Sequence, residues 1–142
     1  MSWFEWGNLC LERGDFVMAV DKFTQARQVA QSRQSILFHT LALNNLAYAT
    51  LLTGAIAAAR AQIDEALALA ETYALRSVQY YLLSTAGEIA LAGGKLELAT
   101  ERFEQALVLA EKYDNSTFVA NLQAHLGRVA HAQGQEARAR QL

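Results

Sequence analysis

A fixed spacing of glycines constrains this chain more than any other feature. Gly14, Gly54, Gly94 and Gly134 lie at equal intervals of about 40 residues, a period typical of repeat architectures. Alanine recurs five, twelve and sixteen residues after each of the first three glycines. Nine residues after the same three comes a large apolar residue: Phe23, Ile63 and Phe103. Several matches in one register indicate that copies of one unit stack to bury a shared core.

Each repeat is predicted to be a pair of helices, A and B, joined at the glycine. Apolar residues recur at steps of three and four on both sides of it, which is the period of an amphipathic helix. The pattern predicts the two helices over 37–52 and 56–73 in the second repeat, and over 77–92 and 96–113 in the third. We expect Ala47 and Gly87 of helix A to face Ala59 and Ala99 of helix B, because close helix contacts need small residues.

The repeat predicts one all-α domain over residues 1–142, with about three and a half repeats: 1–34, 35–74, 75–114 and a truncated 115–142. The last repeat is expected to turn at Gly134 and to begin a second helix over 135–142. That stub would leave a face partly uncovered around Leu122, Leu126 and Val129, while Trp3, Phe4 and Trp6 crowd the opposite end. Exposed apolar patches tend to find partners, so the chain is expected to self-associate, most simply as a two-fold dimer.

Composition and charge exclude several classes of protein. The net charge of −2 lacks the basic footprint of a nucleic-acid binder. Residues 34–59 carry no Asp, Glu, Lys or Arg and could span a bilayer by length, but His39, Asn44 and Asn45 interrupt them with polar groups. The N-terminus has no basic region followed by an apolar stretch, as a secretory signal would. We therefore expect a cytoplasmic protein with no membrane partner.

No arrangement of residues indicates catalysis or a bound cofactor. The single cysteine, Cys10, excludes a disulfide framework, and it is expected to be a small buried residue. His125 and His131 are six residues apart, which places them on different faces of one helix and not in a metal site. Gly93-Gly94 lacks the Lys-Ser/Thr of a phosphate-binding loop. The sequence thus predicts a protein that is not an enzyme and holds no metal or cofactor.

The repeat resembles the tetratricopeptide repeat. That family has a large residue and a Leu-Gly-like pair in helix A, a glycine turn, and an Ala, aromatic, Ala series in helix B. The matches are Trp3, Trp6-Gly7, Gly14, Ala19, Phe23 and Ala26; Leu43, Leu46-Ala47, Gly54, Ala59, Ile63 and Ala66; Leu83, Ala86-Gly87, Gly94, Ala99, Phe103 and Ala106; and Leu126-Gly127, Gly134 and Ala139. The resemblance implies a right-handed superhelical solenoid that binds a peptide or protein segment in a concave groove lined by helices A.

By register, the resemblance assigns eight groove residues: Asn8, Asn44, Tyr48, Tyr81, Ser84, Glu88, Asn121 and Arg128. Asparagine and tyrosine combine hydrogen bonding with flat apolar surface, a mix suited to recognition. The simpler interpretation is that these residues are the solvent side of stacked helices. Some co-chaperones of the family clamp terminal carboxylates with lysines, an arginine and asparagines. Asn8 matches one of those asparagines, but Phe4, Ser84 and Glu88 stand where basic residues would be needed.

The repeat length leaves two interpretations of function open. The usual period of the family is about 34 residues, and the longer period found here is similar to the repeats of MalT-type transcriptional activators and kinesin light chains. The first interpretation is an adaptor that binds a protein partner of unknown identity. The alternative is a regulatory or sensor segment of a larger bacterial signalling protein, which the end of the chain within the fourth repeat favours.

Overall fold

The computed structural model describes residues 1–141, and Leu142, the last residue of the predicted fourth repeat, lies outside them. Within that range the chain is helical and contains no strand. Its elements are α1 (Trp3–Glu12), α2 (Phe16–Ser32), α3 (Ile36–Leu52), α4 (Ile56–Thr72), a 3₁₀ turn (Arg76–Val78), α5 (Gln79–Ala92), α6 (Leu96–Lys112) and α7 (Ser116–Gln141). The chain forms two compact units, Met1–Val78 and the part from Gln79 onward. The predicted helices are confirmed to within two residues at each end, because the apolar period already marks them.

A three-residue connection follows each of the helices α1 to α6, and all of these connections close in the same way. After α1, Gly14 N donates to Leu11 O at 3.1 Å, and Asp15 N donates to Cys10 O at 2.9 Å. This Schellman pair requires a left-handed residue after the helix, and Gly14 adopts that conformation with φ of +75°. Because α2, α3 and α4 each contain 17 residues, two such helices with their two connections account for one full repeat.

The turns from helix B to the next helix A use the same left-handed conformation without glycine. Gln34, Ala74 and Asp114 have φ of 58°, 53° and 54°. These three positions are spaced along the chain exactly as the turn glycines are. The sequence does not mark them as turns, because no glycine stands there.

The first unit packs its four helices as neighbours in chain order. Gly7 of α1 lies against the ring of Phe23 on α2, so closely that a Cβ on Gly7 would stand 2.5 Å from Phe23 Cε1. The core also includes Cys10 and Ala19, both buried as expected. Glycine is needed at position 7 because the phenylalanine ring occupies the space that a side chain would take.

The second unit repeats this contact between α5 and α6. A Cβ on Gly87 would stand 2.5 Å from Phe103 Cε1. Gly87 therefore packs against Phe103, a contact that the expected pairing of small residues did not include. Phe103 and Ala99 are both fully buried, so the large residue fills the helix pair itself.

The fourth repeat does not form the predicted turn. Helix α7 continues through Gly127 and Gly134 to Gln141, and neither glycine has a positive φ. The residues over 135–141 are charged, polar or small and would bury little by folding back, so a turn would lose helical hydrogen bonds without gaining packing. The prediction of a short second helix over 135–142 is wrong for the described residues.

The prediction of an uncovered face on α7 is also wrong. Leu122 and Val129 are buried, and Leu126 is half-buried, because α7 uses this side to pack on α6. The exposed side of α7 carries small and polar residues instead, and a Cβ at Gly127 would meet nothing within 4 Å.

Candidate functional site

The eight residues predicted by register lie on helices α1, α3, α5 and α7, the helices A of the repeat. Their exposure is unequal. The exposed residues are Asn8, Asn121 and Arg128. The half-buried residues are Asn44, Tyr48, Tyr81 and Glu88, and the buried residue is Ser84. Three of the eight belong to the first unit and five to the second, and each group is described within its own unit.

In the first unit, Asn44 forms a hydrogen bond with its neighbour in the chain. Its amide Nδ2 donates to Asn45 Oδ1 at 3.3 Å. Its Oδ1 is shielded from solvent, and among residues 1–141 no donor reaches it. An unsatisfied buried acceptor is unfavourable for stability. Tyr48, one helical turn further along α3, is half-buried.

In the second unit, Glu88 of α5 meets two side chains of α7. Glu88 Oε1 lies 3.8 Å from His125 Nε2 and 4.0 Å from Arg128 Nη1. Arg128 Nη1 lies 2.9 Å from His125 Nδ1, and the His125 ring stacks on Phe103 with centroids 5.1 Å apart. We call Glu88, His125 and Arg128 the α5–α7 polar cluster.

Burial dominates the electrostatics of this cluster. It raises the pKa of Glu88, and the positive charge of Arg128 opposes that effect. Burial first and Arg128 second lower the pKa of His125. Both net shifts disfavour the charged form, as desolvation does for acids and for histidines.

Tyr81 is a structural residue as much as a surface residue. Its ring contacts Tyr80 and Phe118, with centroids 4.3 Å and 4.9 Å apart. A hydrogen bond with Tyr80, and secondly burial, raise the pKa of Tyr81. The structure thus packs Tyr81 on α7 through Phe118, a contact that the register argument did not predict.

Sequence reasoning missed His125 and Phe118 as neighbours of the predicted residues. One signal was present for His125, because it lies three residues before Arg128 and so shares a helical face with it. Phe118 had no such signal, since its contact with Tyr81 depends on how two helices far apart in sequence cross.

A further group of polar side chains surrounds His39. In the first unit, His39 Nε2 accepts from Arg27 Nε at 3.3 Å, and burial, followed by Arg27, lowers the pKa of His39. Arg27 also pairs with Glu65 at 3.1 Å. In the part of the chain that the structure describes, no three His, Cys, Asp or Glu side chains are grouped to hold a metal ion. No helix among the described residues combines the length and apolarity needed to cross a membrane.

Comparison with solved structures identifies the fold. The repeats of a kinesin light chain–like protein from Podosopora anserina, described as nearly identical TPR-like repeats, superpose with a TM-score of 0.80 at 18% identity, covering 96% of this chain and 68% of that one. This chain has the tetratricopeptide-repeat fold. The all-α repeat architecture predicted from the glycine spacing is confirmed.

Two further tetratricopeptide-repeat structures match with higher coverage of their own length. The first such domain of human RPAP3 gives a TM-score of 0.71 at 21% identity, covering 96% of this chain and 93% of that one. The first such domain of Spaghetti (RPAP3), bound to the HSP90 peptide SRMEEVD, gives 0.64 at 22%, covering 93% and 90%. No family's sequence model matches the chain, and no curated protein matches it.

Proposed function

We propose that this protein is a non-enzymatic interaction module that binds a peptide or protein segment on the helix A faces of its repeats. The observation that carries the proposal is the fold itself, since a solved structure of the same fold holds a peptide. That structure shares the fold with this chain and little of its sequence. The groove lined by helices A therefore stays a prediction, as does the lack of enzymatic activity.

Within the first unit, Asn8, Asn44 and Tyr48 are the residues that we propose to contact the ligand. Asn44 is half-buried, and its side-chain amide is of a type that can hydrogen-bond the backbone of a ligand. Tyr48 offers partly exposed ring surface at modest entropic cost. Together they favour recognition of an extended backbone with an apolar side chain.

Within the second unit, Asn121 and Arg128 are the better candidates. Both are exposed, whereas Ser84 is buried and Tyr81 is packed on Phe118. Glu88 lies 4.0 Å from Arg128 and offsets part of the positive charge that an acidic ligand would need there. A strongly acidic tail such as SRMEEVD is therefore a poor match for this surface, in agreement with the predicted absence of a carboxylate clamp.

The experiment is an affinity capture with the whole chain, followed by titration of the captured partner. Tyr48→Ala and Arg128→Ala should each weaken binding, by roughly thirtyfold if the residue is an anchor and by less if it sits at the rim. Glu104→Lys, a charge reversal at an exposed position of α6, is the matched control and should leave the affinity unchanged. Normal binding by both variants together with loss of binding in Glu104→Lys would place the site on the helix B side.

Self-association is proposed on a narrower basis than the sequence suggested. Trp3 and Trp6 stack with centroids 5.6 Å apart, Lys22 Nζ lies 3.9 Å from the Trp6 ring centroid, and Trp6 is 41% exposed. This patch on α1 supports a homodimer contact. Light scattering should show a concentration-dependent dimer that Trp6→Glu abolishes, and a monomer at high concentration would exclude the contact.

The regulatory or sensor segment remains the alternative function, and the cytoplasmic location remains a prediction. The length of the reading frame distinguishes the alternative from the adaptor. A reading frame that continues past Leu142 into a nucleotide-binding or DNA-binding domain would favour the alternative.

A further inference from the structure

The two units contain the same three-helix arrangement, shifted along the chain by two repeats. Helices α1, α2 and α3 correspond to α5, α6 and α7, and α2 (Phe16–Ser32) matches α6 (Leu96–Lys112) residue for residue. Both α3 and α7 begin at equivalent positions, Ile36 and Ser116. The two units can therefore be compared side chain by side chain.

The N-terminal ends of α1 and α5 differ. Helix α5 begins at Gln79, whereas α1 begins at Trp3, the equivalent of Leu83, so that α5 has one additional turn. Helix α1 has a physical reason to begin there. The Ser2 hydroxyl accepts from Glu5 N and the Glu5 carboxylate accepts from Ser2 N, which is a complete capping box.

In the second unit, the additional turn places one side chain in a recess between three helices. Tyr80 is buried, its ring contacts Phe118 at 5.1 Å and Tyr113 at 6.2 Å between centroids, and its hydroxyl accepts from Asn115 Nδ2 at 3.2 Å. Tyr80 thus fills the space bounded by the end of α6 and the start of α7.

In the first unit, three residues that correspond by register to the neighbours of Tyr80 line a cavity of about 210 Å³. Its lining includes Arg33, Ser35 and Phe38, the register equivalents of Tyr113, Asn115 and Phe118. The rest of the lining comes from Ser2, from the start of α1 and from one face of α2, where it includes Trp3, Phe4, Ala26, Val29 and Ala30. We call this cavity the first-unit recess.

The lining is complementary to an aromatic ring with a polar edge. Phe38 offers its ring in the place of Phe118, and Arg33 lines the recess at the position of Tyr113, so a cation–π contact can replace an aromatic one. Ser35 Oγ accepts from Phe38 N at 3.3 Å, and its hydroxyl hydrogen meets no acceptor among the described residues. That hydrogen can be donated to a phenol oxygen, as the Asn115 amide hydrogen is in the second unit.

We propose that the first-unit recess binds a tyrosine side chain presented by a partner protein segment. The second unit supplies the template, because Tyr80 contacts Tyr113, Asn115 and Phe118 there, the register equivalents of three residues that line the recess. The volume is sufficient, since an apolar protein cavity of about 150 Å³ holds benzene. This inference goes beyond the proposed function, because the recess contains none of the eight helix A residues assigned to the binding face.

The test uses the whole chain and N-acetyl-L-tyrosinamide as the probe, followed by NMR of the side-chain methyl groups. We expect shifts at Val29, Ala26 and Ala30 with a dissociation constant on the order of 1 mM, as suits a probe of this size. N-acetyl-L-phenylalaninamide should bind about two- to tenfold more weakly because it lacks the hydroxyl. N-acetyl-L-leucinamide should bind more weakly still.

Two variants and one control keep the result interpretable. Val29→Phe fills the recess and should reduce probe affinity at least tenfold. Arg33→Ala, at the end of α2, should reduce it about two- to fivefold without affecting folding. Arg13→Ala removes the arginine at the matching end of α1 and should change nothing.

Three results would overturn the proposal. They are shifts spread equally over exposed residues such as Val17 and Val108, equal affinity for the leucine probe, and unchanged binding in both recess variants. A dimer that the tyrosine probe dissociates would also overturn it, because the occupant would then be a second copy. None of these measurements uses the partner that is proposed to bind the helix A faces. A failure of the recess proposal is therefore distinguishable from a failure of the proposed function.

Discussion

Gly87 of α5 lies directly against the ring of Phe103 on α6, and a Cβ at Gly87 would stand 2.5 Å from Phe103 Cε1. The first repeat has the same pair, Gly7 with Phe23. The second repeat has alanine and isoleucine at these positions. Where helix A has alanine in place of glycine, helix B has isoleucine in place of the bulkier phenylalanine. This exchange is expected when the two positions share one packed volume.

Gly87→Ala should destabilise the fold by about 1–3 kcal/mol, because the added methyl group forces the Phe103 ring off its position. Adding Phe103→Ile, which recreates the pair of the second repeat, should restore part of the loss. Urea unfolding followed by circular dichroism measures both. Gly127→Ala is the matched control on α7, where nothing lies within 4 Å, and it should stabilise the helix by about 0.5–1 kcal/mol. Equal effects of the two Gly→Ala changes would contradict the packing argument.

Ala74→Gly should stabilise the protein, by about 0.5–1 kcal/mol. Ala74 adopts φ of 53°, a left-handed conformation that costs an L-residue roughly 1–2 kcal/mol, and glycine's greater freedom in the unfolded chain offsets part of the gain. Ala68→Gly, at an exposed site within α4, is the same chemical change in a helix interior and should lower the free energy of unfolding by about 0.5–1 kcal/mol. A thermal unfolding comparison in which both variants lose stability would refute the strain at Ala74.

Tyr81→Ala should lower the free energy of unfolding by about 1–3 kcal/mol, because it removes ring contacts with Tyr80 and Phe118. This result would differ from the behaviour of a purely ligand-facing tyrosine. Tyr81→Phe keeps the ring and should stay within about 1 kcal/mol of the wild type. A Tyr81→Ala variant with wild-type stability in urea would show that the ring contacts contribute nothing.

His125 should make the protein less stable in mild acid. Burial and Arg128 lower the pKa of His125 in the folded state. Below a pH of about 6.5, the ordinary pKa of histidine, the unfolded chain is therefore protonated at this residue to a greater extent than the folded protein. The free energy of unfolding should therefore fall between pH 7.5 and pH 5.5. His39, whose pKa is also lowered, should contribute in the same direction.

The measurement is urea unfolding at these two pH values and at pH 4.5 for the wild type and His125→Gln. The variant should lose less stability on acidification, whereas His131→Gln, at an exposed position on the same helix, should lose as much as the wild type.

Glu88 acts in the opposite sense at lower pH. Because its pKa is raised, the folded protein takes up this proton before the unfolded chain does as the pH falls towards 4.5, the ordinary value, and the protonation removes an unfavourable buried charge. Glu88→Gln lacks this gain, so its free energy of unfolding should fall more steeply with acidification than that of the wild type. A pH dependence that neither substitution changes would contradict both assignments.

The sequence by itself determined the repeat, the helices and their turns at glycine. Gly14, Gly54 and Gly94 mark left-handed turns, and the three- and four-residue apolar steps mark the helices, because backbone conformation and helical period depend on residues close together in the chain. Position in the repeat also identified helix A, and so the helices on which all eight predicted groove residues lie. Cys10 was correctly expected in the core for the same reason.

Tertiary structure decided what local patterns do not contain. Gly134 has the register of a turn, yet α7 continues through it, because a turn persists only when a following helix packs back and compensates for the lost hydrogen bonds. Gly87 was expected opposite Ala99, and the atoms nearest to it belong to Phe103, since the rotation of one helix about its axis is set by how side chains of both helices interlock.

The same limit applies to the contacts around the candidate site. Glu88 meets His125, and Tyr81 meets Phe118, although the members of each pair are separated by a whole helix of the chain. Only the packing of α5 against α7 brings them together, and that packing depends on the core of all three helices and not on any local stretch of sequence.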